Sequence, residues 1–305
     1  MNFEPSEDQA SVLAALDQVL ADFRAPPGEP VASAYSQDLA DLLAESGFLD
    51  IAREDGFGPL DAALVVERVS RSPWAVETAA TALVAPAAGL PAGGGPIALL
   101  EGKAGGPARF LPVARKLVFL AGDHAEILSV RPEQVATVDS LMAYPYGQLQ
   151  SPEDRVVEAV VDAAPIRRRW RVGLAAEAAG AMAAALGVVL EHVKTRHAFG
   201  RPLGAFQAIQ HRLAMAAETV ESVRWLARRA AWSDTEADAA LAAGFAQSRI
   251  AAFTYDLHQF SGAMGLTLEF PLHLWTYRLR ALAGELGGAS IQARAAAKAV
   301  WGDAA

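Results

Sequence analysis

One run constrains the fold more than any other. Phe206, Ile209, Leu213, Ala216, Val220, Val223 and Ala227 recur in alternating steps of three and four, the seam of a long helix packed in a bundle. That helix reads from Phe206 to Trp232. An Ala-rich apolar helix, Ile166 to Arg196, precedes it, with Gly173, Gly180 and Gly187 spaced seven residues apart. Small residues on one stripe let a neighbouring helix approach closely. Between the two helices Gly200, Pro202 and Gly204 force a turn, because Gly accepts unusual backbone angles and Pro cannot continue a helix. Ser233-Asp234-Thr235-Glu236 reads as a capping box opening a third helix to about Ser261. Further helical segments start near Phe270 and near Ser290. Helices joined by short turns predict an antiparallel four-helix bundle over residues 161–305.

The N-terminal part is also helical. Val12, Leu13, Leu16, Val19, Leu20 and Phe23 predict a helix across 6–23, stopped by Pro26-Pro27-Gly28. Tyr35 to Gly47 and Leu60 to Val69 are two more, and Pro73 opens a fourth reaching Val84. These form an N-terminal helical domain, residues 1–85. From Pro86 to Pro107 the chain is rich in Gly, Pro and Ala and reads as a linker. Short β-type runs follow at Arg109–Val113, Lys116–Ala121, Glu126–Val130 and Val135–Val138, with 139–155 ambiguous. A small, mostly antiparallel β domain over 86–160 results, so the fold class is mainly α with a small β domain.

Composition excludes several function classes. A formal charge of −9 over 305 residues argues against general nucleic-acid binding, which needs a basic face. No cysteine is present, so disulfides and thiolate metal sites are excluded, and no metal site is indicated. Met1 to Gln9 is acidic rather than signal-like. No uncharged apolar run reaches membrane-spanning length; residues 172–190 come nearest, interrupted by Glu177. A cytoplasmic protein is the expectation.

Chemistry concentrates at two corners. Arg196 and Arg201 flank the first turn with Phe199 between them, and guanidinium forks at a helix-to-helix corner suit a phosphate or pyrophosphate. Solvated arginines at a hairpin corner are the alternative. The words themselves are specific. Arg196 to Ala214, "RHAFGRPLGAFQAIQHRLA", resembles the C-terminal domain signature of the acyl-CoA dehydrogenase family. His258 to Leu272, "HQFSGAMGLTLEFPL", resembles that family's second flavin-contacting corner. The phrases around Leu43–Ile51 and Val65–Arg71 resemble its N-terminal helical domain more weakly.

This resemblance implies FAD as cofactor, bound largely through its ADP half at the two corners. Carried over by position, Arg196 matches the pyrophosphate-binding arginine, Phe199 the aromatic packed on the cofactor, and Gln207 a polar contact. Gln259, Gly262 and Gly265 match the second corner, where glycines let backbone amides approach. Ala198 departs from the pattern, standing where a hydrogen-bonding side chain is common.

The rest of the machinery is altered. Oxidising an acyl thioester needs a positioned carboxylate to remove the α-proton. The family's usual place for it falls here on Leu286, with Glu285 one residue away as the only candidate. The family's other place falls at Trp170, inside Arg167-Arg168-Arg169-Trp170-Arg171, where no carboxylate stands. That basic run suits an acidic partner surface, a CoA phosphate or simply a solvated helix start. The flavin- and substrate-binding phrase of the family's middle domain is absent, with Ala85-Pro86-Ala87-Ala88-Gly89 near its place. The resemblance therefore implies one chain of a heteromeric acyl-CoA dehydrogenase, with two of each chain in a heterotetramer. A second acyl-CoA dehydrogenase chain would supply the base and most of the acyl-CoA site, as in bacterial enzymes of steroid side-chain degradation. An active homo-oligomer using Glu285, and a structural subunit without cofactor, are the alternatives.

Overall fold

The computed structural model describes residues 5–26 and 34–302. Pro27 and Gly28 of the expected helix stop lie outside the described residues. Helix α1 (Glu7–Val19) starts at a capping box: the Ser6 hydroxyl accepts the Gln9 amide, and the Gln9 side chain accepts the Ser6 amide. A 3₁₀ turn, Leu20–Phe23, extends it. Helix α2 (Gln37–Glu45) is followed by Gly47 at φ 76°, a left-handed position that favours glycine. Helix α3 spans Pro59–Val69.

The helix expected from Pro73 forms only at its end, as a π-helical turn, Ala80–Val84, running into α4 (Ala85–Ala87). The segment before it is held otherwise. Ala75 exchanges backbone hydrogen bonds with Ala34 and Ser36. The buried Glu77 carboxylate then accepts from the Ala80 amide at 2.7 Å, the Thr81 hydroxyl at 2.5 Å and the Ile97 amide at 3.2 Å. An acceptor at the first free N–H groups starts the helix there rather than at Pro73.

Two small sheets follow. Strands β1 (Ile97–Glu101), β3 (Lys116–Ala121), β4 (His124–Ser129) and β7 (Val157–Asp162) form one in the order β1-β3-β4-β7, with β1–β3 parallel and the other pairs antiparallel. Strands β2 (Ala108–Arg109), β6 (Tyr146–Leu149) and β5 (Val135–Val138) form the antiparallel second. The expected runs Lys116–Ala121 and Val135–Val138 match β3 and β5. The expected linker contains β1, whose Ile97, Ala98 and Leu100 are buried. The expected strand Arg109–Val113 shrinks to β2 and a 3₁₀ turn, because Phe110 takes φ 65°.

Five helices complete the chain: α5 (Ala163–Thr195), α6 (Gln207–Ser233), α7 (Glu236–Ser261), α8 (His273–Leu282) and α9 (Gly288–Trp301). The helical half read from the sequence is thus present, and α5 is its hub, packed against α3, α6, α7 and α8. A Cβ on Gly180 would stand 2.2 Å from the Glu67 carbonyl oxygen, and one on Gly173 2.9 Å from Ala79 Cβ. Only glycine permits those approaches, whereas Gly187 faces open space. The cap of α7 is Thr235, which accepts the Asp238 amide at 3.3 Å, rather than Ser233, which closes α6. By length and composition α5 is apolar enough to cross a bilayer when a charged residue such as Glu177 is allowed, but 78% of its apolar window is buried inside the protein. Glu177 sits in that window because Arg109 neutralises it.

Candidate functional site

The first corner is a miniature hairpin between α5 and α6. Strands β8 (His197–Ala198) and β9 (Arg201–Pro202) pair across Phe199 at φ 52° and Gly200 at φ 80°. Two successive positive φ values turn the chain within two residues. Glycine takes such angles freely; phenylalanine does so only under strain. The Phe199 ring is 92% exposed, touching Phe206 edge-on at 6.1 Å. Strain that holds an aromatic ring in solvent is the kind of local cost found at ligand and partner contacts.

The second corner ends α7. Gly262 takes φ 58° and ψ −143°, outside the range of other residues, and the space where its Cβ would stand is open. Gly265 differs: it is buried, and a Cβ there would lie 2.8 Å from Ser261 Cβ. Its carbonyl accepts from His258 Nδ1 at 2.8 Å, and His258 Nε2 meets the Thr276 hydroxyl at 3.0 Å. His258 thereby ties the turn to α8.

A cleft of about 510 Å³ lies between the corners, and Arg196, Gln259 and Gly262 all line it. Arg196 is exposed and has no ion-pair partner among the described residues. Partial burial and then the Arg196 charge push the His192 imidazole below its usual pKa. The first turn of α6 contributes Ala208 and Ile209, so the positive end of a 27-residue helix faces the cleft. A guanidinium, a helix N-terminus and a wall without side chain together fit a diphosphate-bearing ligand. Phe199, Gln207 and Gly265 are not brought to the cleft wall; Phe199 projects beyond it, Gln207 opens α6 on the exposed side, and Gly265 sets the turn from behind. Arg201 is turned away, its guanidinium 4.0 Å over the Phe206 ring. His192 and Arg212 also line the cleft and were not singled out in the sequence. Arg212 pairs with Asp256 and stacks over Phe260 at 5.0 Å. Helical spacing alone gives no sign that Arg212 faces a cleft.

The place expected for a catalytic base is filled differently. Leu286 is buried with a left-handed backbone, φ 52°. Glu285 accepts from Arg109 Nε at 2.5 Å and from the Trp170 indole at 2.8 Å. Arg109 also donates to Glu177 through Nη1 at 2.8 Å and Nη2 at 2.6 Å, with the Tyr144 ring 5.1 Å from its guanidinium. Burial would lower the Arg109 pKa, but Glu177 and Glu285 hold it well above its usual value. Burial pushes the Glu177 carboxyl up despite Arg109, and Glu285 adds to that push. The Glu285 carboxylate, the candidate base, is thus engaged as an acceptor by a guanidinium and an indole N–H. The two positions expected for the base, near Trp170 and near Leu286, meet through the hydrogen bond from the Trp170 indole to Glu285.

The arginine run is likewise accounted for. Arg167 pairs with Glu101, Arg168 and Arg169 with Asp234, and Arg171 with Glu236 and Gln292. It ties α5 to β1 and to the α6–α7 corner rather than standing open to an acidic surface or a CoA phosphate.

Comparison with known proteins places these features. The sequence profile of the acyl-CoA dehydrogenase C-terminal domain matches residues 168–301. The acyl-CoA dehydrogenase IpdE2 of Mycolicibacterium smegmatis is 34% identical over 114 residues, covering 37% of this chain and 37% of that protein. The match thus spans under two fifths of that relative's length. The ChsE4-ChsE5 complex of Mycobacterium tuberculosis superposes with a TM-score of 0.76 at 20% identity, over 96% of this chain and 97% of the other. The Tcur3481-Tcur3483 steroid ACAD gives 0.79 at 19% identity, over 96% and 98%. The solved structures share the fold over nearly the whole chain, and the bundle that carries both corners matches the acyl-CoA dehydrogenase C-terminal domain over residues 168–301.

Proposed function

We propose that this chain is one subunit of a heteromeric FAD-dependent acyl-CoA dehydrogenase, which introduces an α,β double bond into an acyl-CoA thioester. In this reading the chain contributes contacts to the ADP half of FAD, and a second acyl-CoA dehydrogenase chain contributes the catalytic glutamate and most of the substrate cavity. The carrying observation is a contrast within one chain. The corner cleft is open, with Arg196 unpaired among the described residues, while Glu285 is consumed by Arg109 and Trp170. Bound FAD would supply the hydride acceptor. This chain's residues would hold its diphosphate: Arg196 by charge, the α6 N-terminus by its amides, and Gly262 by leaving room.

The assembly reading is a heterotetramer with two of each chain, and a steroid-derived acyl group is favoured by likeness to a steroid ACAD. The test is Arg196→Ala in the co-expressed complex. Flavin content per complex is expected to fall about tenfold or more at limiting FAD, as loss of a charge-assisted hydrogen bond predicts. Unchanged flavin occupancy and turnover would overturn the role of Arg196.

A further inference from the structure

A second basic hollow lies apart from the corner cleft and shares no residue with it. It holds about 310 Å³ where the end of α1 and its 3₁₀ extension meet the end of α3 and helix α8. Arg24, Arg68 and Arg71 line it, with Asp17 as the one carboxylate on its wall. Phe23 and Trp275 give it an aromatic side.

Among the described residues, arginines outnumber carboxylates on its wall by three to one. Arg68 meets Asp17 at 3.3 Å. Arg71 reaches Glu67 at 2.7 Å, but Glu67 also receives Arg224 at 2.8 Å and Arg228 at 3.3 Å. The Glu67 carboxylate thus faces three guanidiniums, of which Arg224 also pairs with Glu221. Arg24 is exposed and has no partner among the described residues. Arg71 keeps a buried Nε–H without an acceptor among the described residues. Partial burial and then the like charge of Arg71 lower the Arg68 pKa, against the opposing pull of Asp17 and Glu67. All this stands in a chain of formal charge −9.

We propose that this hollow binds a phosphorylated small molecule. Its phosphate oxygens would be taken by Arg24, Arg68 and Arg71, and its ring would rest against Phe23 and Trp275. Guanidinium forks match phosphate oxygens bidentately, and an aromatic wall adds contact for a flat group. A volume near 310 Å³ sits at the lower end of small-molecule sites, which suits a mononucleotide-sized ligand and not a dinucleotide.

The experiment is calorimetric titration of the full chain with AMP and with inorganic phosphate, against sodium chloride of matched ionic strength. Saturable AMP binding, tighter than phosphate, is expected. Arg24→Ala combined with Arg68→Ala should weaken it about tenfold or more, while Arg131→Ala, an exposed arginine outside both clefts, leaves it unchanged. Should the double variant fail to fold, the exposed Arg24→Ala alone should still weaken AMP several-fold. Heat no different from that of chloride would overturn the site. Equal affinity for AMP and phosphate would overturn the aromatic half of the proposal. Binding lost in Arg196→Ala but retained in Arg24→Ala would place the ligand in the corner cleft and overturn the second site.

Discussion

Single residues at the second corner set its shape in two different ways. Gly262 supplies a backbone angle; His258 supplies hydrogen bonds. The Gly265 carbonyl only accepts, so His258 Nδ1 carries a proton and donates to it. His258→Ala should release that carbonyl and weaken FAD retention by the complex about tenfold, the equivalent of one lost hydrogen bond of ~1–3 kcal/mol. Equilibrium dialysis of flavin against the complex measures it. Gly262→Ala should cost the corner ~1–3 kcal/mol through its backbone angle alone, and flavin should be lost faster than from wild type on dilution. Away from the corner, Glu67 makes a pH prediction. Burial would raise its pKa, but Arg228, Arg224 and Arg71 outweigh burial and lower it. A depressed carboxyl stabilises the fold above its unfolded value of about 4.3 and loses that contribution as pH falls through the folded value. Melting temperature should therefore drop between about pH 5 and pH 3, and Glu67→Gln should show a shallower drop from a lower starting point. Parallel melting curves for the two proteins across that range would contradict the assignment. Glu77 has the opposite sign, because burial holds its carboxyl above the usual range.

At the scale of elements, α5 shows what the sequence makes legible. Its three glycines at seven-residue spacing announce close packing, and two of them deliver it. Gly180→Ala should destabilise the fold by ~1–3 kcal/mol, since the new Cβ meets the α3 backbone and not a movable side chain. Gly187→Ala, facing open space inside a helix, should stabilise by ~0.5–1 kcal/mol. Chemical denaturation of both variants checks the pair. The long helices and the strands β3 and β5 were readable because their periodicity is bounded by turn residues. Strand β1 was not: four apolar residues amid Gly and Pro carry no alternation, and only the parallel partner β3 makes them a strand. The missed helix start at Pro73 turns on Glu77, whose cap is formed with residues as far off as Ile97. Arg196, Gln259 and Gly262 could be found by their wording. Arg212 and the Arg109–Glu177–Glu285 cluster could not, because contacts over 68 and 176 residues of sequence leave no local mark.

Over the whole molecule the two ends of the bundle have diverged in character. One end presents an open cleft between corners; the other joins helices and sheets through a buried ion-pair cluster where a base would stand. Glu285→Gln should therefore lower stability, since Arg109 loses one of its two carboxylates, yet leave turnover by the complex within about twofold of wild type. A loss of several orders of magnitude in turnover, with flavin retained, would make Glu285 the base. The most direct measurement is the flavin absorbance of the purified chain, first alone and then co-expressed with the acyl-CoA dehydrogenase chain proposed as its partner. A colourless lone chain and a yellow complex are predicted. A yellow lone chain that an acyl-CoA bleaches would contradict the account, since one chain would then hold both cofactor and base.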